Sequence, residues 1–158
     1  MSTVTIRPMR DEDVPAVQEI DRLAFPVPWP PSAYPHELHH SPHSHLWVAE
    51  LEGQVVGFAV LWLIVDEAHI ATIAVHPDFR RQGIARQLME TLLAAARQHQ
   101  ARLATLEVRA SNTAAQALYQ QYGFQVVGRR PKYYTDNHED ALIMTVMLDK
   151  EEGASHDA

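Results

Sequence analysis

"VHPDFRRQGIAR", Val75 to Arg86, is the stretch that decides the fold. An apolar run ends at Val75, and Pro77 cannot donate to a sheet ladder, so the chain leaves its strand and turns through residues 78–83. From Gln82 to Gln98, Ile84, Leu88, Leu92 and Ala95 recur on one stripe, which predicts a long amphipathic helix. Ala68 to Val75 before it and Leu103 to Val108 after it have strand composition. Strand, helix, strand in that order predicts a parallel pair with a right-handed crossover.

The same turn predicts an anion site. The first N–H groups of a helix have no partners within it, and the helix dipole adds partial positive charge there. Arg80 and Arg81 add full charges, Gly83 lets backbone approach a ligand, and small Ala85 leaves room for a diphosphate. The ordinary alternative is a strand–helix turn with solvated arginines and a steric glycine. The turn has neither the Gly-Lys-Ser/Thr ending of a Walker loop nor the three glycines of a dinucleotide fingerprint.

Outward from this centre, Thr3 to Arg7 alternates as a strand, and Asp11 is the expected cap of a helix carrying Val14, Val17, Ile20 and Leu23 or Ala24. Pro26 to His45 holds six prolines and five histidines, which predicts a mobile loop with at most one short helix near Ser32 to His40. Two β-rich runs around Glu52-Gly53 predict a hairpin and, with the strand after it, an antiparallel meander. Asn112 to Tyr122 predicts a helix stopped by Gly123. Phe124 to Tyr134, interrupted by Gly128, and Ala141 to Leu148 complete the strands. One domain over residues 1–150 and a disordered tail at 151–158 follow.

The chain has 158 residues, no cysteine and a formal net charge of -7. Lack of cysteine excludes disulfides, thiolate metal sites and a thiol acyl-enzyme, and it fits a reducing compartment, the cytoplasm. The acidic balance argues against direct nucleic-acid binding, so any anion site is local. The charged start lacks a signal-peptide core. The longest apolar run, Val55 to Val65, falls short of the roughly 20 residues of a membrane helix. A monomer is compatible with all of this.

"IAVHPDFRRQGIA" followed one helix later by "LEVRASNTAAQALYQQYGF" resembles the GNAT superfamily of N-acetyltransferases, and within it the bacterial ribosomal-protein N-terminal alanine acetyltransferases. The resemblance extends to "FPVPWP", "ELEGQVVGF" and "YYTDNHEDALIM". It implies an α/β (α+β) fold: a mixed, mostly antiparallel twisted sheet of six to seven strands, a parallel central pair and about four helices. It also implies acetyl-CoA as cosubstrate, with no metal. Arg80, Arg81, Gln82, Gly83, Ile84 and Ala85 would cradle the pyrophosphate, and the backbone of Ile73, Ala74 and Val75 would hold the pantetheine arm and thioester. Ala85 stands where many relatives have glycine.

In ATLEVRA, alternation puts Thr105, Glu107 and Arg109 on one face and Leu106 and Val108 on the other. Glu107 is then half of a structural Glu–Arg ion pair, or a general base that takes a proton from an incoming ammonium. The resemblance assigns it the second role. Tyr119 lies on the inward stripe of its helix with Ala115, Leu118 and Tyr122, where core packing is the default. The resemblance makes it the acid that protonates the departing thiolate. Asn112 is a helix cap or, by resemblance, a contact to acetyl-CoA. Without a nucleophile, the amine attacks the thioester directly, and backbone N–H near Val75 holds the oxyanion.

The resemblance points to a protein N-terminus, the alanine of a small-subunit ribosomal protein, as acceptor. Freeing a lysine amine near neutrality costs about 3.5 kcal/mol more than freeing an α-amine, so a single carboxylate suits the α-amine better. Lysine or small-molecule amines are the alternative acceptors, and a non-catalytic acyl-CoA-binding module is a more distant one. Pro26 to His45 and Tyr133 to Asp140 would wall the acceptor site. Asp136, Glu139 and Asp140 either attract a cationic peptide or form a solvated acidic turn. His36-Glu37-Leu38-His39-His40 also fits HExxH, the zinc-protease signature, but Pro35 and Pro42 confine any helix there to under two turns.

Overall fold

The computed structural model describes residues 3–148; the tail expected at 151–158 lies outside the described residues. Seven strands form one sheet in the order β1-β2-β3-β4-β5-β7-β6. The strands are β1 (Val4–Pro8), β2 (Ser44–Leu51), β3 (Gln54–Ile64), β4 (Glu67–Val75), β5 (Leu103–Arg109), β6 (Gln125–Arg130) and β7 (Ala141–Met147). The helices are α1 (Val14–Ala24), α2 (Ala33–His40), α3 (Ile84–Gln98) and α4 (Thr113–Gln121). The β1/β2, β2/β3, β5/β7 and β6/β7 pairs are antiparallel, and β4/β5 is parallel, as the strand–helix–strand order requires.

The chain divides into two compact units. The first comprises Met1–Leu63 and Ile70–Ala94. The β2–β3 hairpin turns at Glu52 and Gly53, both at positive φ, as a two-residue turn between right-twisted strands demands. Its core packs Val17 and Ile20 of α1 against Val48 of β2 and Phe58 and Val60 of β3. Ile84, Leu88 and Leu92 of α3 are buried as predicted. Met89, Leu93 and Ala96 are buried with them, and Ala95 is only half-buried, so the apolar stripe is wider than a single row and displaced by one residue.

Two expectations in this unit need correction. Asp11 caps nothing: it sits in a 3-10 turn, Asp11–Asp13, and its carboxylate bonds His39 at 2.6 Å. Helix α1 starts at Val14 with Pro15 in its first turn, where a missing N–H costs no hydrogen bond. Residues 26–45 are also anchored rather than loose. Tyr34 is fully buried, its hydroxyl donates to Asp21 at 2.6 Å, and Trp29 N–H donates to the same carboxylate at 3.1 Å. Trp29 stacks on Tyr34 and Trp62, with ring centroids 5.1 and 6.4 Å away. Pro35 falls in the first turn of α2, so the helix runs on for eight residues, just over two turns.

The second unit comprises Ile64–His69 and, among the described residues, 95–148. It contains the parallel pair, which runs over three residues, Glu67↔Leu103 to His69↔Thr105. β5 pairs along its full length with β7, and β6 lies outside β7 with a bulge at Val126/Gly128.

Candidate functional site

In the first unit, the turn after β4 has the form the sequence predicts. His76 N–H donates to the Val56 carbonyl at 2.8 Å, and the His76 ring accepts from Asp78 N–H at 3.1 Å, which fixes the strand end before the 3-10 turn Pro77–Phe79. Arg81 and Gly83 both adopt positive φ, 66° and 79°. Gln87 N–H bonds the Gly83 carbonyl at 3.1 Å, so the ladder of α3 opens on the carbonyl of the turn's glycine. Arg80, Arg81, Gln82 and Gly83 are exposed, whereas Ile84 is buried and Ala85 half-buried. A Cβ on Gly83 would meet nothing within 4 Å, so the glycine serves the left-handed backbone and open space lies over it. Two exposed arginines in the turn that opens α3 suit a diphosphate. On β4, Ala74 is buried and Ile73 and Val75 are half-buried.

In the second unit, β5 alternates as expected: Ala104, Leu106 and Val108 are buried, and Glu107 lies on the exposed face. Its carboxylate is engaged. Arg130 Nε stands 2.5 Å from Glu107 Oε2, and the Tyr133 hydroxyl donates to the same carboxylate, which raises the tyrosine's pKa above its ordinary value together with a smaller contribution from burial. The Arg130 guanidinium also lies 5.6 Å from the centre of the Tyr133 ring. A Glu–Arg pair is therefore present, but not with neighbouring Arg109.

Arg109 is committed elsewhere. It bridges Asp136 at 3.1 Å and Glu139 at 3.3 Å and stacks on the Tyr134 ring at 4.0 Å. Glu139 also accepts from Ser111 N–H, and Asp140 accepts from Arg129 and from Lys132 N–H. These contacts hold the carboxyls of Glu139 and Asp140 below the usual range, Glu139 mainly through Ser111 and Asp140 mainly through the Lys132 N–H. All three acidic residues thus bind the protein's own cations and amides: Asp136 and Glu139 staple the β6–β7 segment to Arg109 of β5, and Asp140 ties it back to Arg129 of β6.

Tyr119 is buried against Phe124, ring centroids 6.0 Å apart. Burial, with a smaller effect from Tyr134, pushes its pKa up to about 12, so its hydroxyl keeps its proton at every physiological pH. Asn112 is the cap of α4: its Oδ1 accepts from Ala115 N–H at 3.1 Å. Gln116 ties the helix to the end of β5 by donating to the Arg109 and Ala110 carbonyls, both at 3.0 Å.

The HExxH match has a different purpose. Glu37 accepts from Ser44 and from Trp62 Nε1, the latter at 2.7 Å, so its carboxylate fastens α2 to β2 and β3 instead of facing a water. Sequence reasoning missed Arg130, and also the Asp21–Tyr34 bond, because both depend on which distant segments are brought side by side.

The description "Acetyltransferase (GNAT) family" matches residues 14–124, a span that takes in parts of both units. The chain is 35% identical to the ribosomal protein bS18-alanine N-acetyltransferase of Escherichia coli, covering 91% of this chain and 97% of the relative. It is 40% identical to a Bacillus subtilis protein named provisionally for the same activity, over 92% and 96% of the two chains. The crystal structure of the Escherichia coli ribosomal-protein-S18-alanine N-acetyltransferase superposes with a TM-score of 0.85 at 34% identity, covering 92% of this chain and 94% of that one. With turn, strands and full-length similarity in agreement, the chain belongs to the GNAT family of acetyltransferases.

Proposed function

We propose that this enzyme transfers the acetyl group of acetyl-CoA to the α-amino group of a protein N-terminus, an alanine such as that of ribosomal protein bS18, in the cytoplasm. Identity of 35% and 40% to bS18-alanine N-acetyltransferases, over more than nine-tenths of each chain, carries this assignment. Among the described residues no helix is long and apolar enough to cross a membrane.

The turn before α3 binds the diphosphate through Arg80, Arg81, Gln82 and the N–H groups of Gly83, Ile84 and Ala85. β4 binds the pantetheine arm along Ile73, Ala74 and Val75, and backbone N–H near Val75 donates to the thioester oxygen as it gains charge. Asn112 contacts the ligand through its amide N–H groups while Oδ1, which accepts from Ala115 N–H, caps α4. Glu107 takes one proton from the acceptor ammonium. The freed amine forms the C–N bond, the C–S bond breaks, and Tyr119 donates its proton to the leaving sulfur. The proton remaining on the new amide nitrogen restores Tyr119, and Glu107 releases its own proton to solvent. Tyr119 is buried and protonated, and Glu107 lies on the exposed face of β5, which supports these roles.

Mass spectrometry of peptides incubated with acetyl-CoA tests this directly. A peptide with a free N-terminal alanine gains one acetyl group, and the same peptide with a blocked N-terminus and a free lysine does not. Glu107→Gln lowers kcat by about 10²-fold and leaves coenzyme A affinity within about twofold. Equal acetylation of the blocked, lysine-bearing peptide would remove the α-amine assignment.

A further inference from the structure

The Glu107 carboxylate faces a cation of the protein's own. Arg130 and Glu107 share one face of the sheet across β7: Arg130 pairs with Ala141, which pairs with Arg109, while Gly128 pairs with Ile143, which pairs with Glu107. Gly128 has no side chain, and Ala141 has only a methyl group, so the long arginine side chain lies over β7 and reaches Glu107 at 2.5 Å. The two arginines on this face differ in their hold. Arg109, with 15% of its side chain exposed, is gripped by two carboxylates and a tyrosine ring. Arg130 is 55% exposed and is held to the 31% exposed Glu107 and, more loosely, to the Tyr133 ring. A pair this open to water is weak. Tyr133, by contrast, offers Glu107 a neutral hydroxyl, which leaves the charge of the carboxylate uncompensated when Arg130 departs.

We propose that Arg130 is the resting counter-cation of Glu107 and that the acceptor's ammonium displaces it on binding, while Tyr133 keeps the carboxylate in place. This rests on Glu107 being the base. The exchange selects for acceptors by charge. An ammonium replaces the guanidinium like for like, whereas a hydroxyl or an amide brings no cation and must leave the carboxylate either unpaired or still covered. Arg130 thereby makes the site an amine site, at a cost to acceptor affinity of about two- to fivefold, the scale of an exposed ion pair.

Two measurements on the full-length protein test the exchange. In ¹⁵N–¹H spectra taken with coenzyme A, which cannot transfer an acetyl group, the Arg130 Nε–H is expected to be protected. That protection should vanish on saturation with a free-amine alanine peptide and persist with the N-acetylated peptide. In steady state, Arg130→Gln is expected to lower the peptide KM two- to fivefold, with kcat and the acetyl-CoA KM within about twofold, and Arg130→Lys is expected to restore the original KM. An Arg130 Nε–H signal that is unchanged by saturating free-amine peptide overturns the proposal. A rise in peptide KM in Arg130→Gln also overturns it, since the arginine would then be holding the acceptor. Failure of the base assignment reads differently: Glu107→Gln would retain its kcat, whatever the Arg130 signal does.

Discussion

Tyr119 shows how one residue's environment selects its chemistry. Burial raises its pKa to about 12, so in the proposed reaction handing its proton to a thiolate, whose thiol has a reference pKa of roughly 8.5, is uphill on its own and has to be coupled to return of a proton from the new amide nitrogen. A group that must be protonated and titrates near 12 limits the rate only above that value. The kcat–pH profile of the enzyme should therefore rise as the acceptor amine deprotonates and show no alkaline fall up to pH ~10, the ordinary tyrosine value. Tyr119→Phe should lower kcat by about 10²-fold or more, with acetyl-CoA affinity little changed. A descending limb centred near pH ~10 in the native profile would show an unperturbed tyrosine instead.

At the scale of elements, the approach of β3 to β4 and α3 depends on a single missing methyl group. A Cβ on Gly57 would stand 3.1 Å from the Ala74 carbonyl, 3.3 Å from Ile84 Cγ2 and 3.4 Å from Leu88 Cδ1. Gly57 thus lets β3 press on both β4 and the first two turns of α3. Gly57→Val should destabilise the protein by about 1–3 kcal/mol through overpacking and should weaken coenzyme A binding more than acceptor binding. Thermal melts with calorimetric titration of coenzyme A check both. The elements themselves were legible because local signals suffice for them: Pro77 ends β4, Ile84, Leu88 and Leu92 share a helical face, and Gly123 follows α4 at φ 91°. The firmness of residues 26–45 was not legible. Proline content predicts an irregular chain, but anchoring comes from Asp21, thirteen positions before Tyr34 in another helix.

Across the whole molecule, charge pairing decides which predicted residues are available. The sequence leaves Asp136, Glu139 and Asp140 as either a lure for a cationic peptide or a solvated turn, and Glu107 as either half of a Glu–Arg pair or a base. The structure pairs the three acidic residues with Arg109 and Arg129, and β6, entering the sheet outside β7, brings Arg130 to Glu107. No local pattern encodes a neighbour two strands away. Near the N-terminus, Arg7 joins β1, β2 and the entry to α1. It bonds Asp13 at 2.8 and 2.9 Å and Glu50 at 2.7 Å, and Asp13 also accepts from Arg10 N–H at 2.8 Å. The Arg7 guanidinium, more than the Arg10 N–H, holds the Asp13 carboxyl below its usual value despite burial. A depressed carboxyl contributes stability above its unfolded-state pKa, roughly 3.9, and loses that contribution as pH falls through the folded value. Asp13→Asn should cost about 2 kcal/mol at neutral pH, and urea midpoints of variant and native protein should converge as pH falls below the ordinary carboxylate range.

β6 also ends the sheet, with Val126 and Val127 exposed. A flat outer strand of that composition would be a template for fibrils. The bulge at Val126/Gly128 interrupts the regular register of this outer strand, an irregularity that hinders a neighbouring molecule from zipping onto it.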